Sequence, residues 1–160
     1  MALVLFDSNI IIDYLNGIGE ARDELTYWDE PAISVVSWME VRANIKPDEE
    51  DRFELLFSDG DFEIIRIDDA IMTAAAKIRT EGIRQGPKIA LMDAIIKATA
   101  QVYNLTVITR NTKDFKGPNV RVPYEIETLT LTRIVNVRSP EPPASAASDR
   151  KKTSSRKPPS

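Results

Sequence analysis

The chain contains no cysteine and no histidine. Their absence removes disulfides, thiol nucleophiles, imidazole bases and every metal centre built on sulfur or nitrogen ligands. Any chemistry must come from carboxylates, hydroxyls, amides, lysine and arginine. An ion held by oxygen donors alone is a hard cation such as Mg²⁺ or Mn²⁺, not zinc or copper. Long apolar runs are missing too: no stretch approaches the roughly 20 residues that cross a bilayer. The N-terminus enters a strand-like run with no basic region, signal-length apolar core or small-residue cleavage site ahead of it. A cytoplasmic protein with no membrane contact is therefore expected.

What is present reads as one soluble domain. The 160 residues suffice to bury a core, and 42% hydrophobic with 29% charged residues is ordinary for a globular protein. From Arg138 onward the text changes to "RSPEPPASAASDRKKTSSRKPPS", where large apolar side chains all but vanish. Such a segment cannot bury enough surface to offset the entropy of ordering it. Residues 1–137 are read as the folded domain and 138–160 as a disordered basic tail. The tail holds six of the 21 Lys and Arg and two of the 25 Asp and Glu, which leaves −8 on residues 1–137.

Within the domain the short runs "ALVLF", "AISVV", "FEIIRI" and "LTVIT" alternate with longer helical patterns. Continuous hydrophobicity in short runs marks strands covered on both faces, as in a parallel sheet. The β, α, β, α order predicts a three-layer α/β/α sandwich around a central, mostly parallel sheet of four to five strands. "VRV" at 120–122 is read as a weak edge strand. In such sheets ligands sit outside the carboxyl ends of the strands, so what each strand ends in matters most.

The first strand ends in Asp7, followed by Ser8 and Asn9; a helix N-cap and a site carboxylate are both open readings. After the second strand, Ser37 and Glu40 have the S-x-x-E spacing of a capping box, with Glu40 also a candidate at the pocket rim. Asp93 lies in "IALMDAIIKATAQVY", apolar around most of a helix, where an ionised carboxylate costs several kcal/mol unless compensated. The fourth strand leads to Thr109, Asn111 and Asp114, the last two also readable as a cap and its third residue. If these acids converge, their repulsion must be relieved by protons or by cations.

On "LFDSNIIIDYL", "ISVVSWMEV", "LMDAIIKATA" and "VITRNTKDF", in that order and spacing, residues 1 to about 123 resemble the PIN-domain nucleases, in particular the VapC-like toxins of toxin–antitoxin pairs. The resemblance implies a ribonuclease in which Asp7, Glu40 and Asp93 hold one or two Mg²⁺ or Mn²⁺ ions and a metal-activated water attacks a phosphodiester. Ser8 stands where the family often has a supporting Thr or Ser. Asn111 stands where many relatives have Asp, with Asp114 a candidate substitute. A homodimer and a small antitoxin partner are implied as well. The segment "YEIETLTLTRIVNV" lies outside the usual pattern.

The acidic charge opposes RNA binding, since nucleic-acid affinity comes largely from phosphate neutralisation. Arg42, Lys88, Arg110, Lys113 and Lys116 are the cations nearest the rim in sequence, candidates for RNA contact or simply solvated surface. An acidic pocket also suits an arginine-bearing antitoxin peptide, and "NIIIDYL" and "ELTYWDE" are candidate walls of a groove for it. Other functions remain open. A haloacid-dehalogenase-type phosphotransferase needs Asp where Asn9 stands, a receiver-like domain finds support only in Thr109, and a catalytically weak binding module would keep the fold alone.

Overall fold

The computed structural model describes residues 3–58, 61–128, 130 and 132–140. Strand β1 (Val4–Phe6) sets the layers because successive side chains point to opposite faces. Val4 and Phe6 face α1 (Ser8–Leu15), α2 (Gly19–Tyr27) and α4 (Glu50–Ser58), packing with Ile10, Leu15, Leu25 and Phe53. Leu5 faces the other way, onto Ile96 and Ala100 of α6 (Leu91–Tyr103), and α5 (Asp69–Gln85) closes over α6 through Ile71, Ala75 and Ala98. Helix α3 (Val35–Asn44) gives Val36 to one cluster and Val41 to the other. A single 3-10 turn at Pro47–Glu49 leads into α4.

The sheet holds five parallel strands in the order β3-β2-β1-β4-β5, with β2 at Pro31–Ser34, β3 at Glu63–Ile65, β4 at Thr106–Ile108 and β5 at Val120–Arg121. This is the expected sandwich, with helices on both faces, and the "VRV" strand is an edge as expected. The other edge, β3, leaves Glu63 and Ile64 exposed, so its apolar run is not covered on both faces.

Two expectations are corrected. The "AISVV" strand stops at Ser34, whose hydroxyl accepts the Val36 N–H and starts α3 at Val35. A cap here outweighs the β preference of two valines. Ser37 consequently lies inside the helix, so the Ser37/Glu40 capping box does not form. The Ser37 Oγ is instead buried without a hydrogen-bond partner, the only such side-chain atom among the described residues.

Beyond the sheet, β6 (Glu125–Thr128) and β7 (Thr132–Val135) pair as an antiparallel hairpin. Ile126 and Ile134 pack it against the α1 side of the core, which gives "YEIETLTLTRIVNV" its structural role. Residues 141–160, most of the expected basic tail, lie outside the described residues.

Two buried acids tie the helices to the strand ends. The Asp13 carboxylate on α1 accepts Arg110 Nε at 2.6 Å, a second Arg110 nitrogen at 3.0 Å and the Tyr124 hydroxyl at 2.7 Å. Glu24 on α2 accepts two Arg121 nitrogens at 2.6 and 2.9 Å and Trp28 Nε1 at 3.1 Å. Paired guanidinium donors satisfy charges that burial would otherwise penalise heavily. Asp13 is also what lifts Tyr124: burial first, then the bond to this carboxylate, push its phenol far above the usual range. Arg110→Met, leaving Asp13 buried without its cation, is expected to cost about 3–5 kcal/mol in urea unfolding. Arg22→Met, breaking an exposed pair with Asp23 at 3.6 Å, should cost under about 0.5 kcal/mol. Equal midpoints for the two variants would contradict this role of Asp13.

Candidate active site

The chain runs outward from β1 to β2 and β3, then returns to place β4 on the other side of β1. The order therefore reverses between β1 and β4, where open parallel sheets form their ligand crevice. Asp7 leaves β1 there and Thr109 leaves β4. The Thr109 hydroxyl donates to Asp7 Oδ2 at 2.7 Å across the switch point.

Asp7 is both a cap and a site carboxylate, so the two readings of the sequence coexist. It is the N-cap of α1, accepting the Ser8 amide at 2.8 Å and the Ser8 hydroxyl at 3.4 Å. Asn9 Nδ2 donates to Asp7 Oδ2 at 3.1 Å and to Thr109 Oγ1 at 3.2 Å, while Asn9 Oδ1 accepts the Arg110 amide at 3.3 Å. Only 4% of Asp7 is exposed. Burial raises its carboxyl pKa, the Thr109 and Ser8 bonds work against that rise, and the Glu40 charge adds to it.

Asp93 lies in the first turn of α6, half-buried. Its helix is less enclosed than its composition suggests, for Leu91, Met92 and Val102 are all exposed. Even so, burial and then the charges of Asp7, Asp114 and Glu40 push the Asp93 carboxyl up to about 6. A hydrogen bond shared with Asp114 adds to the rise. Charges from three other segments thus act on Asp93 at the carboxyl edge of the sheet.

The loop after β4 supplies the fourth. Asn111 Oδ1 accepts the Asp114 amide at 3.2 Å and Asn111 Nδ2 donates to Asp114 Oδ2 at 3.0 Å. The Asn111 amide in turn donates to Thr109 Oγ1 at 2.9 Å. Asn111 therefore shapes the turn and holds Asp114, and it is Asp114 whose charge reaches Asp93.

The predicted rim cations are placed differently from one another. Arg110 is turned into the Asp13 pair, and Arg42 bonds Glu50 at 3.1 Å with its guanidinium 6.0 Å from the Phe53 ring centre. Lys88, Lys113 and Lys116 are exposed. Of the suggested groove walls, Ile10, Ile11, Leu15 and Leu25 are core residues. Asn9 is the site residue that sequence reasoning passed over as a ligand to Asp7. Its signal was its place between Asp7 and Asp13 on a helix otherwise rich in isoleucine.

An all-oxygen donor set with mutually repelling carboxylates suits a hard divalent cation. Among the described residues no three such groups are gathered tightly enough to enclose an ion as the side chains stand. In donor chemistry the set fits Mg²⁺ or Mn²⁺.

The profile of the PIN domain matches residues 4–118. The chain belongs to the PIN-domain family. Among solved structures, a chain of a toxin–antitoxin complex from Klebsiella pneumoniae is 44% identical, with TM-score 0.66, covering 77% of this chain and 99% of that one. A chain of VapBC-5 from Mycobacterium tuberculosis, of the VapBC toxin–antitoxin family, is 27% identical, with TM-score 0.54 and coverage of 76% and 97%. One of FitAcB from Neisseria gonorrhoeae is 25% identical, with TM-score 0.58 and coverage of 70% and 90%. No functionally curated protein matches the chain. The PIN match includes all four acids and ends just before β5; among the described residues no helix is long and apolar enough to cross a membrane.

Folding lifts Asp93 from its ordinary 3.8 to about 6, so between those values the folded chain binds more protons than the unfolded one. The Asp93 charge therefore weakens the fold as pH rises through that window. In metal-free buffer, Asp93→Asn is expected to exceed the natural chain in stability by about 1–2 kcal/mol at pH 7.5, after allowance for solvent screening. At pH 3.5 the difference should vanish. Urea midpoints at the two pH values measure it, and a variant less stable at pH 7.5 would contradict the mutual repulsion.

Proposed function

We propose that the chain is the toxin of a toxin–antitoxin pair, a Mg²⁺- or Mn²⁺-dependent endoribonuclease. The observation that carries this reading is the coupling of Asp93 to Asp7, Asp114 and Glu40 at the switch point. Asp7, Glu40 and Asp93 would hold the metal, with Asp114 as the fourth carboxylate. When bound, such an ion supplies a counter-charge to the carboxylates and to the phosphodiester, and lowers the pKa of coordinated water to yield a nucleophile.

The chain's own residues prepare that chemistry. Thr109, Ser8 and Asn9 fix both Asp7 oxygens with donors, which aims this buried carboxylate, and the Thr109 and Ser8 bonds work against the rise that burial causes in its pKa. Asn111 orients Asp114 from the β4 side. Lys88, ahead of α6, and Lys113, beside Asp114, are exposed and would meet RNA phosphates. Arg42 and Arg110 would contribute only by leaving Glu50 and Asp13.

Membership of the PIN family and the likeness to chains of toxin–antitoxin complexes support the biological setting. A small antitoxin carrying an arginine would offer the bidentate partner that these carboxylates suit. A homodimer rests on the resemblance, and exposed Met72, Ile83, Leu91 and Met92 on α5 and α6 supply apolar surface for it. Cytoplasmic action follows from an RNA substrate.

Purified protein freed of any partner is expected to cleave RNA only when Mg²⁺ or Mn²⁺ is added. Asp7→Ala and Asp93→Ala should each lower the rate by at least about 100-fold, the scale of losing several kcal/mol of electrostatic stabilisation. Undiminished cleavage by Asp93→Ala would overturn the mechanism. Expression of the natural chain should arrest growth, with relief on co-expression of a small neighbouring gene that encodes its antitoxin. Harmless accumulation of soluble protein would contradict the toxin role.

A further inference from the structure

At the opposite edge of the sheet from the acids, the start of β1 and the second half of α2 wall a cavity of about 900 Å³. Its apolar lining includes two strongly exposed side chains, Leu3 at 69% and Val137 at 53%. Tyr27 and Trp28 add an edge-to-face aromatic pair with ring centres 5.0 Å apart. Acids line the same wall: residues 20–30 carry five carboxylates and one arginine, a net −4. Glu24 within it is buried and engaged by Arg121 and Trp28, whereas Asp29 and Asp23, the latter in its exposed pair with Arg22, face solvent at the lining.

We propose that the chain docks its own C-terminal basic segment, residues 149–157, in this cavity. The described chain ends there, because Val137, Arg138, Ser139 and Pro140 themselves form one side of the lining. Residues 149–157, "DRKKTSSRK", carry five cations and one aspartate, a net +4 that matches the wall. Eight residues lie between Pro140 and Asp149, a length of chain that reaches at most roughly 30 Å when fully extended. That is ample for a return to a cavity that Pro140 already touches. Tethering over so short a span corresponds to a millimolar local concentration, so modest contacts suffice to hold the segment. Arginine and lysine stems would cover Leu3 and Val137 while their charged heads meet Asp23 and Asp29, and the faces of Tyr27 and Trp28 suit a guanidinium. Docked in this way, the cations of the tail are withheld from nucleic acid.

The absence of cysteine permits a single nitroxide at Ser154→Cys in the full chain, read by NMR against the two tryptophan indole N–H signals. Trp28 lines the cavity, whereas Trp38 packs on Phe53 elsewhere. Docking predicts that the label at least halves the Trp28 peak and spares Trp38. The peak should return in about 0.5 M NaCl, where the Debye length falls to roughly 4 Å, and in the Asp23→Lys/Asp29→Lys variant. An unaffected Trp28 overturns the proposal. So does broadening that survives both salt and charge reversal. Broadening seen equally when labelled and isotope-enriched copies are mixed would assign the cavity to a second copy and overturn self-docking.

Discussion

The structure turns on a carboxylate held where the sheet reverses direction. β1 must end in a group that can cap α1, and must also sit beside β4, the strand the chain reaches last among those flanking it. Asp7 meets both needs because its two oxygens face different donors: Oδ1 takes the Ser8 amide, and Oδ2 takes Thr109 and Asn9. A neutral residue of similar size would cap the helix, but would leave the Thr109 and Asn9 donors aimed at less charge. Burial first, and then the charge of this same carboxylate, raises the Asp93 pKa across the crevice, so fold and site share one atom group.

That sharing explains a division of labour between the two edges of the fold. At the carboxyl edge, acids are left to repel one another, and Asp7 and Asp114 are restrained by amides and hydroxyls rather than by cations. Elsewhere the protein neutralises its buried acids directly, with Arg110 on Asp13 and Arg121 on Glu24. Arg110 follows β4 and Arg121 ends β5, so these pairs close the α1 and α2 layer against strands that come late in the chain. Guanidinium groups are thus spent on structure while the active-site candidates are left without them. This arrangement costs stability and leaves a charge for an ion to satisfy.

Much of this was legible in the sequence, for identifiable reasons. Continuous apolar runs gave the parallel sheet, and the acid at the end of the first strand, with those that follow the second and fourth, led to the switch point. What was not legible depended on contacts between distant segments. Ser34 and Ser37 are both serines near the same strand end, and only the backbone path decides that the first is the cap. Asn111 and Asp114 compete for one role on paper; in the fold, the turn makes one the support of the other. Arg110 reads as a rim cation until Asp13, 97 residues earlier, is brought beneath it. Helix α6 reads as enclosed, yet its start is open at Leu91 and Met92.

The claim on which the rest depends is that Asp7, Glu40 and Asp93 share a divalent ion. Crystals of the natural chain and of Asp93→Asn, grown with Mn²⁺ and measured at the manganese edge, test it directly. An anomalous peak within bonding distance of Asp7 and Asp93 in the natural chain, absent in the variant, is the predicted result. No peak at the switch point, or one of equal height in both, would contradict it.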